Sequence, residues 1–455
     1  MEAQYQIGID LGTTNCTMAA ASIDNGEVQT QLIAQLTAAE ITQELSSLPS
    51  FIYFPLAEEI SNGLPNECLG QFARERGSEL PGRVIASAKS WLCHAGIDRR
   101  EKQLPSDADE ATLKMSPVES CSVLLRYLRD VWDIQHANHR FVDQQVLVTV
   151  PASFDPSARQ LVQEAAEQAG YPDIVLLEEP QAAFYAWLHR HQDLWRKELT
   201  VGDTVLVVDI GGGTTDFTLI RVEEEGGELS LRRLAVGAHL LLGGDNLDLA
   251  LAYLAKSKLE DQGHELDTWQ MQSLVHSCRV AKESFLSDNP PNNIEIVVQK
   301  RGSRLVGGTL TISLARDEVH SLLIDGFFPM VSPQERSQSE RRLGIQQVGL
   351  PYAQDPRVSC QLAKFLSMTG ETDDDTMEGF VIPTAVLFNG GTLKAKAIRD
   401  RVEELLNSWA NQLGSNSVKI LADADYDHSV SYGAVVYNMA RKGKSIRIKG
   451  GTSRS

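Results

Sequence analysis

Apolar and polar positions recur in a way that predicts a chain built twice from one unit. Ile7 to Ser22 reads IGIDLGTTNCTMAAAS, and Val205 to Ile220 reads VLVVDIGGGTTDFTLI. In each, an apolar run ends near an Asp, a Gly-Thr turn follows, and a second run leads away, which is the pattern of a β-hairpin. After the first hairpin a third strand follows an Asp-Asn-Gly turn, and Gly12 and Gly26 fall where tight reversals call for positive φ. SFIYF then reads as a strand and RVIASAKSWL as a helix. In MSPVESCSVLLRYLRDVWDIQH the apolar positions Leu124, Leu125, Leu128, Val131 and Trp132 keep helical spacing, with Ser116-Pro117 as the start signal. Residues 142–189 predict strand, helix, strand, helix, with Asp155 as cap, Pro156 in the first helical position and Gly170 as the stop.

The second half repeats that order: hairpins to about residue 238, a largely helical insert to about 290, strands, then a helix. PTAVLFNGGTLKAKAIRDRVEELLNSWANQLG predicts a strand, a Gly-Gly turn and an amphipathic helix ending near Gly414. The segment at about 333–380 is polar at both ends and reads as an insertion, partly loop. A chain of 455 residues is too long for one ordinary core, so two α/β lobes account for the length. The 42% hydrophobic and 23% charged content is that of a globular protein, and a net charge of −19 argues against general binding to nucleic acid or anionic membranes. No apolar run approaches the ~20 residues of a membrane span, the start carries no signal-peptide pattern, and the six scattered cysteines read as small hydrophobes in a reducing, cytoplasmic setting.

The repeat carries chemistry. Glycines let backbone N–H groups approach an anion closely, and Thr hydroxyls add hydrogen bonds. An Asp beside them repels phosphate unless a hydrated Mg²⁺ lies between. One copy is most simply a hairpin turn; two copies facing across a cleft make a grip on the β- and γ-phosphates of a nucleotide. No Walker A sequence and no G-x-G-x-x-G opening a helix occur, so the grip is of another kind.

GIDLGTTN and VVDIGGGTTD, the segment VTVPASFDPSARQ…AAEQAGY…LLEEPQAAFYAW, and then LLGGDNLD, FNGGTLKA and DADYDHSVSYGA together resemble the nucleotide-binding domain of the 70-kilodalton heat-shock chaperones of DnaK type. These belong to the actin-like ATPase superfamily, and the resemblance covers nearly the whole chain. It implies an α/β actin-like ATPase fold, with two lobes that each have a mixed-sheet, ribonuclease-H-like core and a smaller side domain, and a nucleotide cleft between them. Lobe I would be residues 1–198, with a side domain at about 38–115 and completion by about 423–441. Lobe II would be 199–422, with a side domain at about 241–311, and 442–455 a basic polar tail.

The resemblance further implies binding of ATP or ADP with Mg²⁺ and K⁺, and slow hydrolysis, well under common turnovers of about 1–10³ s⁻¹. Asp10, Asp209 and Asp216 would hold the metals; Gly12, Thr13, Thr14, Asn15, Gly211, Gly212, Gly213, Thr214 and Thr215 would wrap the phosphates. Lys89 would neutralise the γ-phosphate, Glu179 would sit near the attacking water, and Thr214 would orient the γ-phosphate, with Asp10 and Asp209 completing the catalytic set. Glu178 matches no such role and reads as solvated or structural. Gly243, Gly244, Lys282, Glu283, Gly390, Gly391, Thr392, Lys394 and Asp427 match adenosine-side positions, with Glu283 and Lys394 standing where the family has Arg. Pro151 and Arg159 match a switch that couples the lobes; taken alone they read as a strand end and a solvated helix Arg. Implied partners are a J-domain-type co-chaperone, a nucleotide-exchange factor or a client protein, with the chain itself a monomer. The chain lacks the family's Leu-rich linker and peptide-binding domain after residue 441, so it is a short relative or a piece of something longer. Two rival readings stay open: an ATP-gated scaffold without hydrolysis, and a small-molecule kinase of the same superfamily.

Overall fold

Both hairpins form, and each organises a mixed sheet. A computed structural model describes residues 3–24, 26–94, 96–106, 108, 112–225, 228–299, 308–335, 353, 355–368 and 379–441. The tail at 442–455 and most of the 333–380 segment lie outside these. In the first sheet β1 (Tyr5–Asp10), β2 (Asn15–Ser22) and β3 (Val28–Thr30) run antiparallel in turn. On the other side of β1, β4 (Gln145–Val150) and β5 (Val175–Glu178) are parallel to it. The second sheet has β6 (Thr204–Ile210), β7 (Thr215–Glu225) and β8 (Glu228–Val236) antiparallel in turn. Beyond β6 lie β9 (Ala385–Asn389) and β10 (Lys419–Ile420), both parallel to it. The orders β5-β4-β1-β2-β3 and β10-β9-β6-β7-β8 are the same topology. Asp10 pairs opposite Thr17 and Asp209 opposite Asp216, so each strand delivers its Asp to the same end of its sheet.

Helices cover the sheets: α1 (Gln71–Glu79), α2 (Pro117–Gln135), α3 (Pro156–Gln168) and α4 (Glu179–His191) in the first half. In the second are α5 (Gly244–Asp261), α6 (Thr268–Phe285), α7 (Val358–Met368) and α8 (Lys396–Gln412). The last, α9 (Ser429–Arg441), returns to the first sheet, where the Thr17 hydroxyl donates to Ser431 Oγ at 2.8 Å. The caps act locally: Ser116 and Glu119 close a capping box on α2, and the Asp155 carboxylate accepts from the Ala158 N–H at 2.7 Å. One face of α4, through Phe184 and Trp187, packs on Val205, Val207 and Leu387 of the second sheet. Its Tyr185 meets Val435 and Met439 of α9. The helix therefore ties the halves together. No helix among the described residues is long and apolar enough to cross a membrane.

Three local expectations change. RVIASAKSWL is a strand at Val84–Ala86, paired with Phe51–Tyr53, followed by a four-residue helix, Ala88–Trp91. The β-branched Val84 and Ile85 suit this edge strand, where Ile85 is buried against the small sheet, better than a helical turn. Gly12 has no positive φ, unlike Gly26 at 67°; a Cβ at Gly12 would collide with the Asn15 carbonyl, so close approach is what requires glycine there. Within the 333–380 segment, α7 is core: Val358, Leu362 and Leu366 are buried, and Phe365 stacks on Phe217 at 5.8 Å.

Candidate functional site

The two Gly-Thr turns meet. A Cβ on Gly212 would clash with Thr14 Oγ1, and one on Gly213 would lie 2.8 Å from the Thr13 methyl, so the turns oppose each other at van der Waals distance. Each is fixed from behind. The Ser50 hydroxyl donates to the Gly12 carbonyl at 2.7 Å and the Ser50 N–H to Thr14 O at 2.8 Å. In the second turn Gly244 N–H and Asp245 N–H bond Gly211 O and Gly212 O at 3.1 and 2.7 Å, and the Thr392 hydroxyl bonds Gly211 O at 2.7 Å. The Thr14 hydroxyl is buried without a hydrogen-bond partner among the described residues. Such a group is costly unless a ligand meets it.

Beneath the turns lies a cavity of about 590 Å³. Asp10, Gly12, Thr13, Thr14, Asn15, Lys89, Pro151 and Glu179 line it from the first half, and Asp209, Gly211, Gly212 and Thr214 from the second. Lys89, only 4% exposed, is ion-paired with Glu179, which occupies the first helical position of α4. Thr149 donates to Asp10 Oδ1 at 3.1 Å, and the Asn389 amide donates to Asp209 Oδ2 at 2.7 Å.

Burial pushes the Asp10 carboxyl up, opposed by Lys89 and the Thr149 hydrogen bond. Burial likewise lifts Glu179 to about 7 against the pull of Lys89, and lifts Asp209 to about 8, with the neighbouring Glu179 adding to the rise. Burial alone would lower Lys89, but Glu179 and Asp10 beside it hold its pKa above the ordinary range. Three part-buried carboxylates thus face one ammonium, a charge set that fits a divalent cation.

At the other end α6 supplies Lys282 and Glu283, and Gly244, Gly390, Gly391, Thr392, Lys394 and Asp427 complete the wall. Lys282 is pinned to Asp248 at 2.7 Å and to Gly244 O at 3.0 Å. Lys394 pairs with Asp427 at 2.6 Å. Asp427, Asp425 and His428 bring ligand-type atoms close together, but Lys394 and Arg190 already pair with the two acids.

Some expected residues stand back from the cavity: Gly213, Thr215, Asp216, Gly243 and Arg159 do not line it. The Thr215 hydroxyl bonds Leu242 O at 2.6 Å, and Gly243 packs with a would-be Cβ 2.6 Å from Gly212 O, so both shape the turn from behind. Asp216 accepts from the Ser153 hydroxyl and faces His239 at 3.3 Å. Arg159 binds the loop after Pro151, at Phe154 O (2.9 Å) and Ala152 O (3.1 Å), and Glu178 at 2.9 Å.

Glu178 is structural, not solvated: its carboxylate is 11% exposed and also pairs with Arg233 of β8. One acid therefore joins a first-half helix to a second-half strand. Replacing Glu178 with Ala leaves two guanidinium groups facing each other, and we expect a loss of about 3 kcal/mol in denaturant unfolding, more than an exposed pair gives. A variant within about 0.5 kcal/mol of wild type would show that the triad contributes nothing.

Residues given no role in the sequence reading also line the wall: Arg74 and Arg279, outside the quoted motifs, and Asp245, Asn389 and Tyr426, within them. Arg279 was within reach of sequence reasoning, since 279, 282, 283 and 286 share one helical face and all four line the cavity.

The family model described as Hsp70 protein matches residues 6–348. A chaperone protein HscA homolog of Pseudoalteromonas atlantica is 29% identical over 339 residues, 71% of this chain and 47% of that protein. A second HscA homolog, from Rickettsia felis, is 24% identical over 441 residues, 96% of this chain and 59% of that protein. A third, from Bordetella pertussis, is 28% identical over 321 residues, 68% of this chain and 46% of that protein. The chain spans about half the length of the curated relatives it matches.

Proposed function

The chain belongs to the Hsp70 family, and on that premise we propose that it binds ATP with Mg²⁺ between its lobes, hydrolyses it slowly, and reports its nucleotide state to a partner. The opposed Gly-Thr turns above Asp10, Glu179, Asp209 and Lys89 carry this reading. The Thr13 and Thr14 hydroxyls and the turn N–H groups would bind phosphate oxygens. Asp10 and Asp209 would hold Mg²⁺ through its waters, with Asp216 behind them and K⁺ as a further occupant; the bound ion supplies charge neutralisation at the phosphates. Lys89 divides its protons between the Glu179 carboxylate and the γ-phosphate oxygens. Glu179, with its pKa lifted to about 7 by burial, accepts a hydrogen bond from the attacking water at its carboxylate oxygen.

Single-turnover release of labelled phosphate from γ-labelled ATP tests the reading. We expect slow release that drops at least about tenfold when Mg²⁺ is chelated. Release indifferent to chelation, or label moved to a small molecule, would overturn it, the second in favour of a kinase. A nucleotide-gated scaffold is favoured by one observation: Glu283, an acid, lines the cavity where the family resemblance calls for an Arg. Binding without release would establish that alternative. Likeness to the HscA chaperones supports a chaperone role, with a J-domain-type co-chaperone, an exchange factor or a client protein as partner.

A further inference from the structure

Arg74 lies on α1 of the first half and lines the same cavity as Asp10 and Asp209. α1 reaches across to α6, where the Trp269 indole N–H donates to Glu79 O at 2.8 Å. The two helices therefore clasp over the cleft. The Arg74 Nε is buried without a hydrogen-bond partner among the described residues. Arg279, facing it from α6, is already engaged by Asp245 and Asp248, both at 2.8 Å.

Burial and then repulsion from Arg279 lower the Arg74 pKa, with Glu283 and Glu75 opposing. His276 on the same seam is lowered by burial, then by Arg279 and Arg74. Arg74 shares the cavity wall with Arg279, Lys282 and Glu283 of α6, and α1 is bound to α6 through Trp269 and Glu79, so Arg74 belongs to the α6 end of the cavity. A buried Nε–H with no acceptor is unfavourable; a purine offers ring-nitrogen acceptors for it and a flat face on which the guanidinium packs.

We propose that Arg74 holds the purine base of the bound nucleotide from the first-half side, so that the base is gripped by both lobes. The inference rests on the nucleotide reading above and adds the residue that recognises the base. It makes the Trp269–Glu79 clasp part of the nucleotide cage: the base cannot leave without α1 and α6 parting.

The test is titration calorimetry of wild type, Arg74→Ala and Arg74→Lys with MgATP and with magnesium tripolyphosphate, which has no base. The Arg74 side chain makes no hydrogen bond among the described residues, and its backbone bond to Gly70 O does not depend on the side chain, so both variants should melt with wild type. MgATP should bind about tenfold more weakly to Arg74→Ala and nearly as weakly to Arg74→Lys, which keeps the charge and loses the plane. Tripolyphosphate should bind all three alike. Equal weakening of both ligands, or full ATP affinity in Arg74→Lys, would make Arg74 a long-range charge and overturn the assignment. Unchanged ATP binding in Arg74→Ala would overturn it alone; a wild type that binds neither ligand would overturn the nucleotide reading and this assignment together.

Discussion

Lys89→Ala should leave ATP bound and nearly abolish phosphate release, by about 10²–10³-fold in single turnover. The ammonium is the single cation among the described residues paired within the carboxylate group, ion-paired with Glu179 and acting on Asp10. Its removal has two effects of the same sign. The phosphoryl group loses the charge that offsets its developing negative charge, and Glu179 loses the neighbour that now holds its pKa down to about 7, so more of it is protonated at neutral pH. Binding suffers less, because the turns at Gly12–Asn15 and Gly211–Thr214 and the wall at Lys282 stay intact. Lys89→Arg should not rescue the rate, since a planar fork does not fit a pocket shaped for a point charge and only 4% exposed. Release within about threefold of wild type would remove Lys89 from the reaction.

The placement of Lys89 shows what could be read in advance and what could not. Both hairpins were legible because an apolar run, an Asp and a Gly-Thr turn are local signals, and Asp10 is the last and Asp209 the penultimate residue of a strand paired on both sides. Lys89 was legible only through family resemblance: the residues around it form a strand and a four-residue helix, too short for periodicity to register. Glu178 was left open between solvated and structural because its partners, Arg159 and Arg233, come from a helix and from a strand in the other half, and the structure decides for the second. Arg74 was out of reach for the same reason. Its meaning depends on how α1 and α6 approach, and no local pattern encodes that.

Gly433→Val should cost the fold. Gly433 lies in α9, and helix propensity alone says that Ala there would stabilise by about 1 kcal/mol. The packing says the opposite. A Cβ at Gly433 would overlap the Ala182 carbonyl of α4, a backbone oxygen that cannot swing aside. On another face of α9, Gly8 of β1 approaches the Ser431 carbonyl closely enough that a Cβ there would also collide. The helix is thus pinched between α4 and β1 with no slack. Overpacking of well-packed sites costs about 1–3 kcal/mol where side chains can adjust, and here the obstacle is main chain. We expect Gly433→Ala to lose about 3 kcal/mol in denaturant unfolding despite its better propensity, and Gly433→Val to yield no folded protein. Because Glu179 begins α4, a folded Gly433→Ala should also release phosphate more slowly, by displacing that carboxylate from Lys89. A Gly433→Ala variant more stable than wild type would mean that propensity wins and that α4 and α9 do not meet at this distance.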